Sequence, residues 1–400
     1  MPKQSPHTIA IIRGSSLNFW EMQNFSPLTE SFSIFALAPY HTVYDTQEIG
    51  LSVKHCRTVS QYYHRLGRGK GILHRFKPLE RFNSDRFLGL EKSLRNVDLV
   101  HTVGIAEVFN GQLAELKKKM GFRIVSTIWE NIPYLWDGVG TNSPKVHQRK
   151  RQVISAFDYY IAITKRAKAS LFLEGADSNK ITIQPMGINL ERFRPQKKNT
   201  NFLGKYELTE QDTIILSIAN LSGNKGIREL IFAAARLKQQ GVVDRHKLKF
   251  IVAGGGDYRK MLENLIDRAC VNDIFRLIGQ VPYADIPAIH NLADIFYLGS
   301  LPTEIWQEQF GMVLIESMAC GKAGLVANSG SIAEVVGDAA VLFPAGDFFR
   351  LSIEIEQLAK DINLRAELGR RGYNRARDLY DSQKVAEKIG NVYNMVLNKG

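Results

Sequence analysis

The sequence is poor in cysteine. Its three cysteines, Cys56, Cys270 and Cys320, are too few and too widely spaced for a disulfide framework or a cysteine zinc site. Sparse, unpaired cysteine is typical of proteins from reducing compartments. We therefore expect a cytoplasmic protein without structural disulfides.

Long apolar runs are also missing. No stretch of about 18 consecutive apolar residues occurs, so we expect no segment to span a membrane. The N-terminus has no apolar core of the signal-peptide type, because its first apolar run covers only Ile9 to Ile12. With 44% hydrophobic and 23% charged residues, the 400-residue chain has the composition of a globular protein. Its length suits two domains of roughly 100–200 residues each.

The first half of the chain is short of acidic residues, whereas the second half has nearly as many acidic as basic residues. Residues 1–195 hold 27 Lys and Arg against 16 Asp and Glu, whereas residues 196–400 hold 25 against 24. Nearly all of the formal net charge of +12 therefore belongs to the first half. A field of that size indicates an anionic partner for that half: nucleic acid, anionic lipid or a phosphorylated substrate.

Short β-branched runs alternate with longer amphipathic stretches in both halves. This alternation predicts an α/β protein with two doubly wound parallel sheets, whose strand ends face a central cleft. The charged, proline-containing segment 189–200 is a linker candidate, which places the domains at 1–195 and 196–380. A last helix at about 380–400 is expected to pack back on the first domain. The predicted strands are Thr8–Ile12, Ile34–Leu37, Leu99–Thr102, Arg123–Thr127, Tyr159–Ile163, Thr213–Ile218, Lys249–Ala253, Phe275–Ile278, Ile295–Leu298, Ala323–Val326 and Ala340–Phe343.

Two glutamates flank the start of a predicted helix in the second half. The helix pattern follows Phe310-Gly311 and stops at Gly321. Its free N–H groups favour negative charge, such as a diphosphate or the oxygens of a sugar. Glu308 precedes the helix and Glu316 lies about a turn inside it, and such carboxylates can accept hydrogen bonds from vicinal diols. A solvated pair on a surface helix is the alternative.

Further loops between strands and helices carry chemistry that suits phosphates. Lys225, in the loop from Asn220 to Gly226, could neutralise a phosphate leaving group, or be a solvated loop lysine. Gly254 to Gly256 follow a buried strand and allow close backbone approach to phosphate or ribose, or form a tight turn. Arg13-Gly14 after the first strand is too short for a dinucleotide-binding fingerprint.

These motifs together resemble the retaining glycosyltransferases of family 4, which have the two-domain GT-B fold. The resemblance covers nearly all of the second half in order, and the first half only loosely. The matching segments are Gly187 to Phe193, Asn220 to Gly226, Gly254 to Gly256, Phe275 to Gly279, Ala293-Asp294, Glu308 to Glu316, Ala319 to Gly321 and Gly330 to Glu334, with Asp98 to His101 and Asp158 to Thr164 in the first half.

The resemblance implies roles for the matching positions. Glu308 and Lys225 are the expected catalytic residues: Glu308 and the backbone at Phe310-Gly311 hold the transferred sugar, and Lys225 stabilises the diphosphate. Glu316 is expected to bind the ribose hydroxyls. The remaining donor contacts are expected at Asn220, Gly14, Gly279 and Val281. No metal or other cofactor is required, because lysine and helix dipoles take the phosphate charge.

The sequence departs from the family pattern at two places. Asn220 stands where the family usually has arginine, so one positive charge at the leaving group is missing, and Arg13 is a candidate replacement. Glu130 follows the strand after which the family often has a histidine, and it is expected to contact sugar or acceptor hydroxyls, or to be structural. His101 is a further candidate for this acceptor contact.

The excess positive charge of the first half is concentrated between Lys54 and Arg86. This segment contains nine Lys and Arg residues but only two acidic residues, Glu80 and Asp85, and aromatic residues are interleaved with the basic ones. This composition suits an anionic membrane surface or nucleic acid, or a solvated basic face. We favour the membrane because acceptors in this family are often lipid-linked. The expected membrane or acceptor contacts are Arg65, Arg68, Lys70, Arg75 and Lys77.

The sequence thus predicts a retaining hexosyltransferase that uses a UDP- or GDP-sugar and acts on a glycan or lipid-linked acceptor. The first domain would bind the acceptor and the second the donor, in the cytoplasm or on the inner face of the membrane. Two alternatives stay open. One is a sugar phosphorylase or epimerase on the same fold. The other is a non-catalytic protein that binds polyanions or membranes, which the missing arginine at position 220 favours.

Overall fold

The computed structural model describes residues 6–46, 49–59, 61, 86–135 and 144–398. The five basic residues predicted to face a membrane or acceptor lie outside the described residues, so that assignment stays a prediction. They are Arg65, Arg68, Lys70, Arg75 and Lys77. None of the described helices is long and apolar enough to cross a membrane.

The chain divides into two compact units, Met1–Gly187 with Ser382–Gly400, and Ile188–Asp381. The boundary falls before Ile188, ahead of the predicted domain end at Pro195, because the connector belongs to the second unit. The N–H of Ile188 donates to the carbonyl of Tyr380 at 2.6 Å, and Phe193 is fully buried. The proposed linker is therefore packed structure rather than a solvated connection.

The first unit is built on a parallel sheet with the strand order β3-β2-β1-β4-β5-β6-β7. The strand order reverses between β1 and β4, and described helices lie between successive strands except between β2 and β3. The strands are β1 Thr8–Ile12, β2 Ser33–Pro39, β3 Ser52–Cys56, β4 Leu99–Val103, β5 Arg123–Ile128, β6 Tyr159–Ala162 and β7 Ile181–Ile183. The described helices are α1 Phe19–Met22, α2 Leu90–Ser93, α3 Val108–Met120, α4 Pro144–Ala156 and α5 Lys165–Leu173, with 3₁₀ turns at Gly14–Ser16, Ser26–Glu30 and Ser178–Lys180.

The second unit is a parallel sheet with the order β10-β9-β8-β11-β12-β13, which reverses between β8 and β11. The two doubly wound sheets confirm the predicted α/β fold class. The strands are β8 Thr213–Ile218, β9 Leu248–Ala253, β10 Phe275–Gly279, β11 Ile295–Leu298, β12 Ala323–Asn328 and β13 Ala340–Pro344. The helices are α6 Thr200–Lys205, α7 Ile227–Gln239, α8 Val242–His246, α9 Arg259–Arg268, α10 Ile286–Leu292, α11 Met312–Ala319, α12 Ile332–Val336, α13 Phe348–Lys360 and α14 Ile362–Leu379, with a 3₁₀ turn at Tyr283–Asp285.

The last helix, α15 (Ser382–Leu397), belongs to the first unit. Its apolar residues Val385, Ile389 and Tyr393 recur at helical spacing, so they form one stripe. That stripe belongs to one hydrophobic cluster with apolar residues of β1, β2 and β4, and the helix contacts the 3₁₀ turn Ser26–Glu30 and β5. The ring of Tyr393 meets Phe32 edge-on with centroids 5.6 Å apart. Burial of such aromatic side chains stabilises by about 1.5–3 kcal/mol each, which holds the helix on the sheet.

Two short edge strands, β3 and β7, are absent from the strands that the sequence predicts. β3 carries Ser52, Lys54 and His55, and β7 has only three residues, of which Ile183 is exposed. An edge strand packs against few neighbours and therefore tolerates polar residues. The alternating apolar signal on which the predictions rest is weak at such positions.

His101, on β4, lies inside the core of the first unit. It is 1% exposed; Tyr393 Oη lies 2.6 Å from Nδ1 and Thr127 Oγ1 2.7 Å from Nε2. Both ring nitrogens are thus occupied within the unit, which leaves neither for the predicted sugar or acceptor contact. Instead, His101 ties the last helix to the sheet. Burial lowers the pKa of His101 to about 3, with a smaller contribution from the nearby charge of Arg13.

We expect acid to destabilise the first unit through His101. Between the unfolded pKa of about 6.5 and the folded pKa of about 3, only the unfolded chain takes up the proton. The free energy of unfolding should therefore fall as the pH is lowered through that window, by at most about 1.4 kcal/mol per pH unit from this group. Urea unfolding at pH 7 and pH 5 should show a smaller pH dependence for His101→Gln than for the unmodified protein. Tyr393→Phe, which keeps the imidazole, should retain the dependence; equal slopes in all three proteins would contradict the assignment.

Candidate functional site

In the second unit, the loops that follow four neighbouring strands meet at the point where the strand order reverses. Ligands of doubly wound sheets bind at this edge because the strand order leaves a crevice there. The backbone of Leu221 after β8 donates to Gly255 after β9 at 2.9 Å. Leu301 after β11 donates to Asn224 at 2.8 Å. The motifs selected from the sequence are therefore neighbours in this unit.

Lys225 and Glu308 form an ion pair at this edge. The Nζ of Lys225 lies 3.0 Å from Oε2 of Glu308, and the hydroxyl of Ser300 donates to the same oxygen at 2.7 Å. The Trp306 ring centroid is 4.2 Å from the ammonium, within cation–π range. The two charged side chains are only 18% and 11% exposed, so their attraction is screened less than that of a surface pair. This arrangement holds one cation and one carboxylate in fixed positions.

Two glycines allow these loops to approach each other. Gly226, at φ +68°, precedes α7, and a Cβ there would lie 2.1 Å from the carbonyl oxygen of Gly299. Gly330, at φ +54°, packs against the backbone of Glu308, where a Cβ would lie 2.1 Å from the carbonyl oxygen. The N–H of Ser331 also donates to that carbonyl at 2.9 Å. The turn after β12 therefore fixes the loop that carries Glu308.

If Glu308 holds the transferred sugar as the resemblance implies, we expect Gly330→Ala to displace it and to lower activity by about tenfold, because positioning errors near 1 Å are costly. The matched control is Gly241→Ala. Gly241 has a similar φ of +66°, but nothing lies within 4 Å of its added Cβ. The control carries the same backbone strain without the clash, so equal activity losses in the two variants would contradict the prediction.

Glu316, in the second turn of α11, is buried, so it is not part of a solvated pair on a surface helix, which was the alternative interpretation of the sequence. Its side chain is 4% exposed. The hydroxyl of Tyr283 donates to Oε1 at 3.1 Å, and Nε2 of His290 lies 3.2 Å from Oε2. Phe310 is 1% exposed, so only its backbone is available for the sugar contact that the resemblance implies. Gly311 begins the helix at φ +78°.

The other predicted donor positions of the second unit are spread around this edge. Asn220 is exposed just after β8. Gly279 ends β10, and its carbonyl accepts from Gly254 at 2.8 Å, so residues 279–281 adjoin the glycine loop. Val281 is half-buried in that segment. The structure thus brings Gly279 close to the Gly254–Gly256 loop.

Two of the predicted first-unit residues, Gly14 and Arg13, lie near the reversal between β1 and β4. Gly14 follows β1 at φ +59°, where a Cβ would meet the ring of Phe109 at 2.9 Å. Arg13 pairs with Glu21 at 2.5 Å, and the two side chains are 10% and 8% exposed. Its charge is therefore balanced within the unit, which disfavours Arg13 as the replacement for the missing arginine at position 220.

Glu130, just after β5, is half-buried beside Gly104, and its Oε2 accepts from the N–H of Trp129 at 3.1 Å. Burial raises the pKa of its carboxyl, opposed by backbone hydrogen bonds and by the charge of Lys150. The carboxyl lies at the strand ends of the first unit, bonded to backbone N–H groups, and both the acceptor contact and the structural role stay predictions for it.

The sequence did not single out Ser300, Tyr283 or His290 as site residues. Ser300 follows β11 at the reversal point, and its position at a strand end could have indicated it. Tyr283 and His290 carry no motif, because their role depends only on what lies beside them in the fold. No group of three or more metal-binding side chains occurs among residues 6–46, 49–59, 61, 86–135 and 144–398.

Residues 198–375 match the family model described as Glycosyl transferases group 1. Among curated proteins, the chain is similar to D-inositol 3-phosphate glycosyltransferase 2 of Catenulispora acidiphila (30% identity; 47% of this chain and 44% of that protein). It is also similar to N-acetyl-alpha-D-glucosaminyl L-malate synthase of Bacillus anthracis (25%; 52% of each). The matches span about half the length of these two relatives. A longer match is to the N,N'-diacetylbacillosaminyl-diphospho-undecaprenol alpha-1,3-N-acetylgalactosaminyltransferase of Campylobacter jejuni (27%; 78% of this chain and 81% of that protein).

Solved structures resemble the whole chain. HepE of Anabaena, in complex with UDP and glucose, has a TM-score of 0.76 at 16% identity, covering 97% of this chain and all of that one. Sucrose-phosphate synthase of Thermosynechococcus elongatus has a TM-score of 0.73 at 17% identity, covering 98% of this chain and all of that one. At these identities the likeness shows the fold. Residues 198–375 thus match the model of group 1 glycosyltransferases, in a chain that has the GT-B fold.

Proposed function

We propose that this protein is a retaining glycosyltransferase that transfers a sugar from a nucleoside diphosphate sugar to an alcohol acceptor. The observation that carries the proposal is the partly buried Lys225–Glu308 pair at the strand ends of the group 1 glycosyltransferase domain. In the proposed complex, Lys225 exchanges Glu308 for the diphosphate, and Glu308 is released to hold hydroxyls of the transferred sugar. In this exchange the diphosphate replaces Glu308 as the anionic partner of Lys225, and hydrogen bonds from Ser300 and the sugar hydroxyls then hold the Glu308 carboxylate.

Catalysis in this proposal is leaving-group stabilisation and positioning rather than attack by a protein nucleophile. The bond from the anomeric carbon to the diphosphate oxygen breaks, and Lys225 with the helix N-termini takes the developing charge. The acceptor hydroxyl attacks from the same face and passes its proton to the leaving phosphate, which retains the anomeric configuration. Since these groups supply the positive charge, we expect no metal requirement, and EDTA should leave the rate unchanged.

UDP is the nucleotide we propose to test first. Its support is the HepE complexes with UDP and with UDP-glucose, which share the fold with this chain. The match to a transferase named for a diphospho-undecaprenol substrate supports a lipid-linked acceptor. We assign acceptor binding to the first unit, with Glu130 as a contact, because its basic excess is not needed for the donor.

A thermal-shift panel of UDP-, GDP- and ADP-sugars tests the proposal. A donor that binds the folded protein raises its melting temperature by mass action, about 2.7 kcal/mol of stabilisation at a hundredfold excess over Kd. The bound donor should then release nucleoside diphosphate, with transfer to an added acceptor. No shift with any sugar nucleotide would overturn the proposal. Binding without release would favour the non-catalytic alternative, which the missing arginine at position 220 supports. Transfer to inorganic phosphate or epimerised donor would favour the phosphorylase or epimerase.

We further propose that the basic segment around residues 54–86 brings the protein to an anionic membrane surface, acting peripherally on its inner face. The support is the sequence composition of the segment. The unmodified protein should float with phosphatidylserine vesicles at low salt and not with neutral vesicles. Charge reversal at Arg65, Arg68, Lys70, Arg75 and Lys77 should abolish flotation. A control with reversal at Lys205 and Lys260 in the second unit should keep it. Flotation that is absent from the unmodified protein would contradict this part of the proposal.

A further inference from the structure

The carboxylate of Glu316 is held by two donors from different elements. Tyr283, in the 3₁₀ turn before α10, donates its hydroxyl to Oε1 at 3.1 Å. His290, within α10, lies 3.2 Å from Oε2 through Nε2, and the carboxylate makes that nitrogen the donor. A carboxylate oxygen has two lone pairs, so each oxygen that accepts one protein hydrogen bond can accept another. The support therefore leaves acceptor capacity for a ligand.

His290 is placed as a support for Glu316 rather than as an ordinary core residue. It is fully buried, with its ring centroid 5.2 Å from that of Phe296 and 6.2 Å from that of Phe193. Its Nδ1 is buried without a hydrogen-bond partner among the residues the structure describes. An unpaired buried polar atom is destabilising, and an apolar side chain would avoid that cost. An imidazole at this position therefore destabilises the core relative to an apolar side chain, unless its Nε2 is needed to bond Glu316.

The two donors are themselves supported by the connector that begins the second unit. The guanidinium of Arg192 lies 4.3 Å from the ring centroid of Tyr283 and also donates to the Tyr283 carbonyl. The ring centroid of Phe193 is 5.9 Å from that of Tyr283. Arg192-Phe193 therefore packs against both residues that hold Glu316. This gives the connector a role within the site, where the sequence had suggested only a linker.

We propose that His290 is a positioning residue for donor binding, whose Nε2 holds the Glu316 carboxylate in the orientation that accepts the ribose hydroxyls, with Tyr283 as the second support. This inference rests on the proposed function. Without the hydrogen bond from His290, the Glu316 side chain gains alternative rotamers that binding must then suppress. The ribose is remote from the reacting bond, so the loss falls on donor affinity and leaves the chemical step unchanged.

The test compares two amides of different reach. The side-chain nitrogen of His290→Gln occupies roughly the place of Nε2 and should keep the hydrogen bond, whereas that of His290→Asn is too short. By calorimetry, His290→Asn should bind UDP about tenfold more weakly than the unmodified protein, and His290→Gln within about twofold of it. The same ratios of affinity should hold for UDP-glucose, because UDP and UDP-glucose share the ribose. If the thermal-shift panel shows binding of a GDP- or ADP-sugar instead, GDP or ADP and its sugar replace UDP and UDP-glucose in this test. The rate of nucleoside diphosphate release at saturating donor should be equal in all three proteins.

Tyr283→Phe is a second variant that does not depend on repacking the core, since Tyr283 is half-buried. It removes only the hydroxyl and should also weaken UDP binding. Melting temperatures measured without nucleotide distinguish a positioning role from a purely structural one. A purely structural role would lower the melting temperature of the variants but would give His290→Gln and His290→Asn the same affinity for UDP. Equal UDP affinity in all variants of a protein that binds UDP overturns the inference alone. An unmodified protein that binds no nucleoside diphosphate or its sugar overturns both the inference and the proposed function.

Discussion

Lys225→Met should lower the rate of nucleoside diphosphate release by about 10²–10³, because removing a single preorganised charge-stabilising group commonly costs that much. The developing charge on the diphosphate loses the ammonium that the structure places between Glu308 and Trp306. The substitution also leaves the Glu308 carboxylate in a partly buried place without its cation. Methionine keeps the length and apolar stem of the side chain, so the packing against Trp306 changes little.

Lys198→Met is the matched control for Lys225→Met. Lys198 pairs with Asp294 at 2.8 Å, and its side chain is 17% exposed against 18% for Lys225. Asp294 immediately precedes β11, so this pair lies at the amino ends of the strands, on the opposite edge of the same sheet. Release rates measured at saturating donor should fall only in Lys225→Met. A comparable fall in both variants would mean that the loss comes from stability, and an unchanged rate in Lys225→Met would contradict its catalytic role.

Glu316→Ala should weaken binding of the donor about 10- to 100-fold, since hydrogen bonds that involve a charged group contribute about 1.5–3 kcal/mol. The substitution removes the proposed acceptor for the ribose hydroxyls, and it leaves Tyr283 and His290 without the carboxylate they hold. Calorimetric titration with UDP and with UDP-glucose should show the same loss for both. Turnover at donor concentrations below Kd should fall with the affinity.

A second buried glutamate provides the control for Glu316→Ala. Glu354, on α13 of the same unit, has a side chain 6% exposed and pairs with Arg350. Glu354→Ala should cost stability of the same order without changing the affinity for UDP. If Glu316→Ala binds the donor as tightly as the unmodified protein, the ribose assignment is wrong, whatever the stability of the two variants.

Most of the fold could be predicted from the sequence because buried parallel strands carry a strong local signal. Runs such as Thr213–Ile218 are mostly β-branched and are buried over their four central residues, so they can be recognised without knowledge of their neighbours. The two edge strands of the first sheet, β3 and β7, were missed because they are short and carry polar or exposed residues, whereas the edge strands β10 and β13 of the second sheet were predicted. The start of the second unit was placed too late, because the charged connector looks solvated in sequence although Phe193 within it is fully buried.

The sequence also indicated the residues of the candidate site but not their partners. Lys225 and Glu308 lie in loops and Glu316 lies in α11, and the glycines and strand patterns that mark these segments are local features of the sequence. Their contacts join positions far apart in the chain: 83 residues separate Lys225 from Glu308, and 26 separate His290 from Glu316. The hydrophobic periodicity of a sequence describes neighbouring residues and does not indicate contacts between residues so far apart in the chain.

The sequence by itself therefore determined two doubly wound sheets and which strand-end loops carry chemistry, because hydrophobic period and turn residues are local properties. Only the tertiary structure decided which side chains satisfy one another. It buried His101 against Tyr393, which is 292 residues away, and balanced Arg13 with Glu21. It also placed His290 and Tyr283 beneath Glu316. These outcomes depend on strand order and on the return of the last helix, and burial then requires each polar group to find whichever partner the topology brings near.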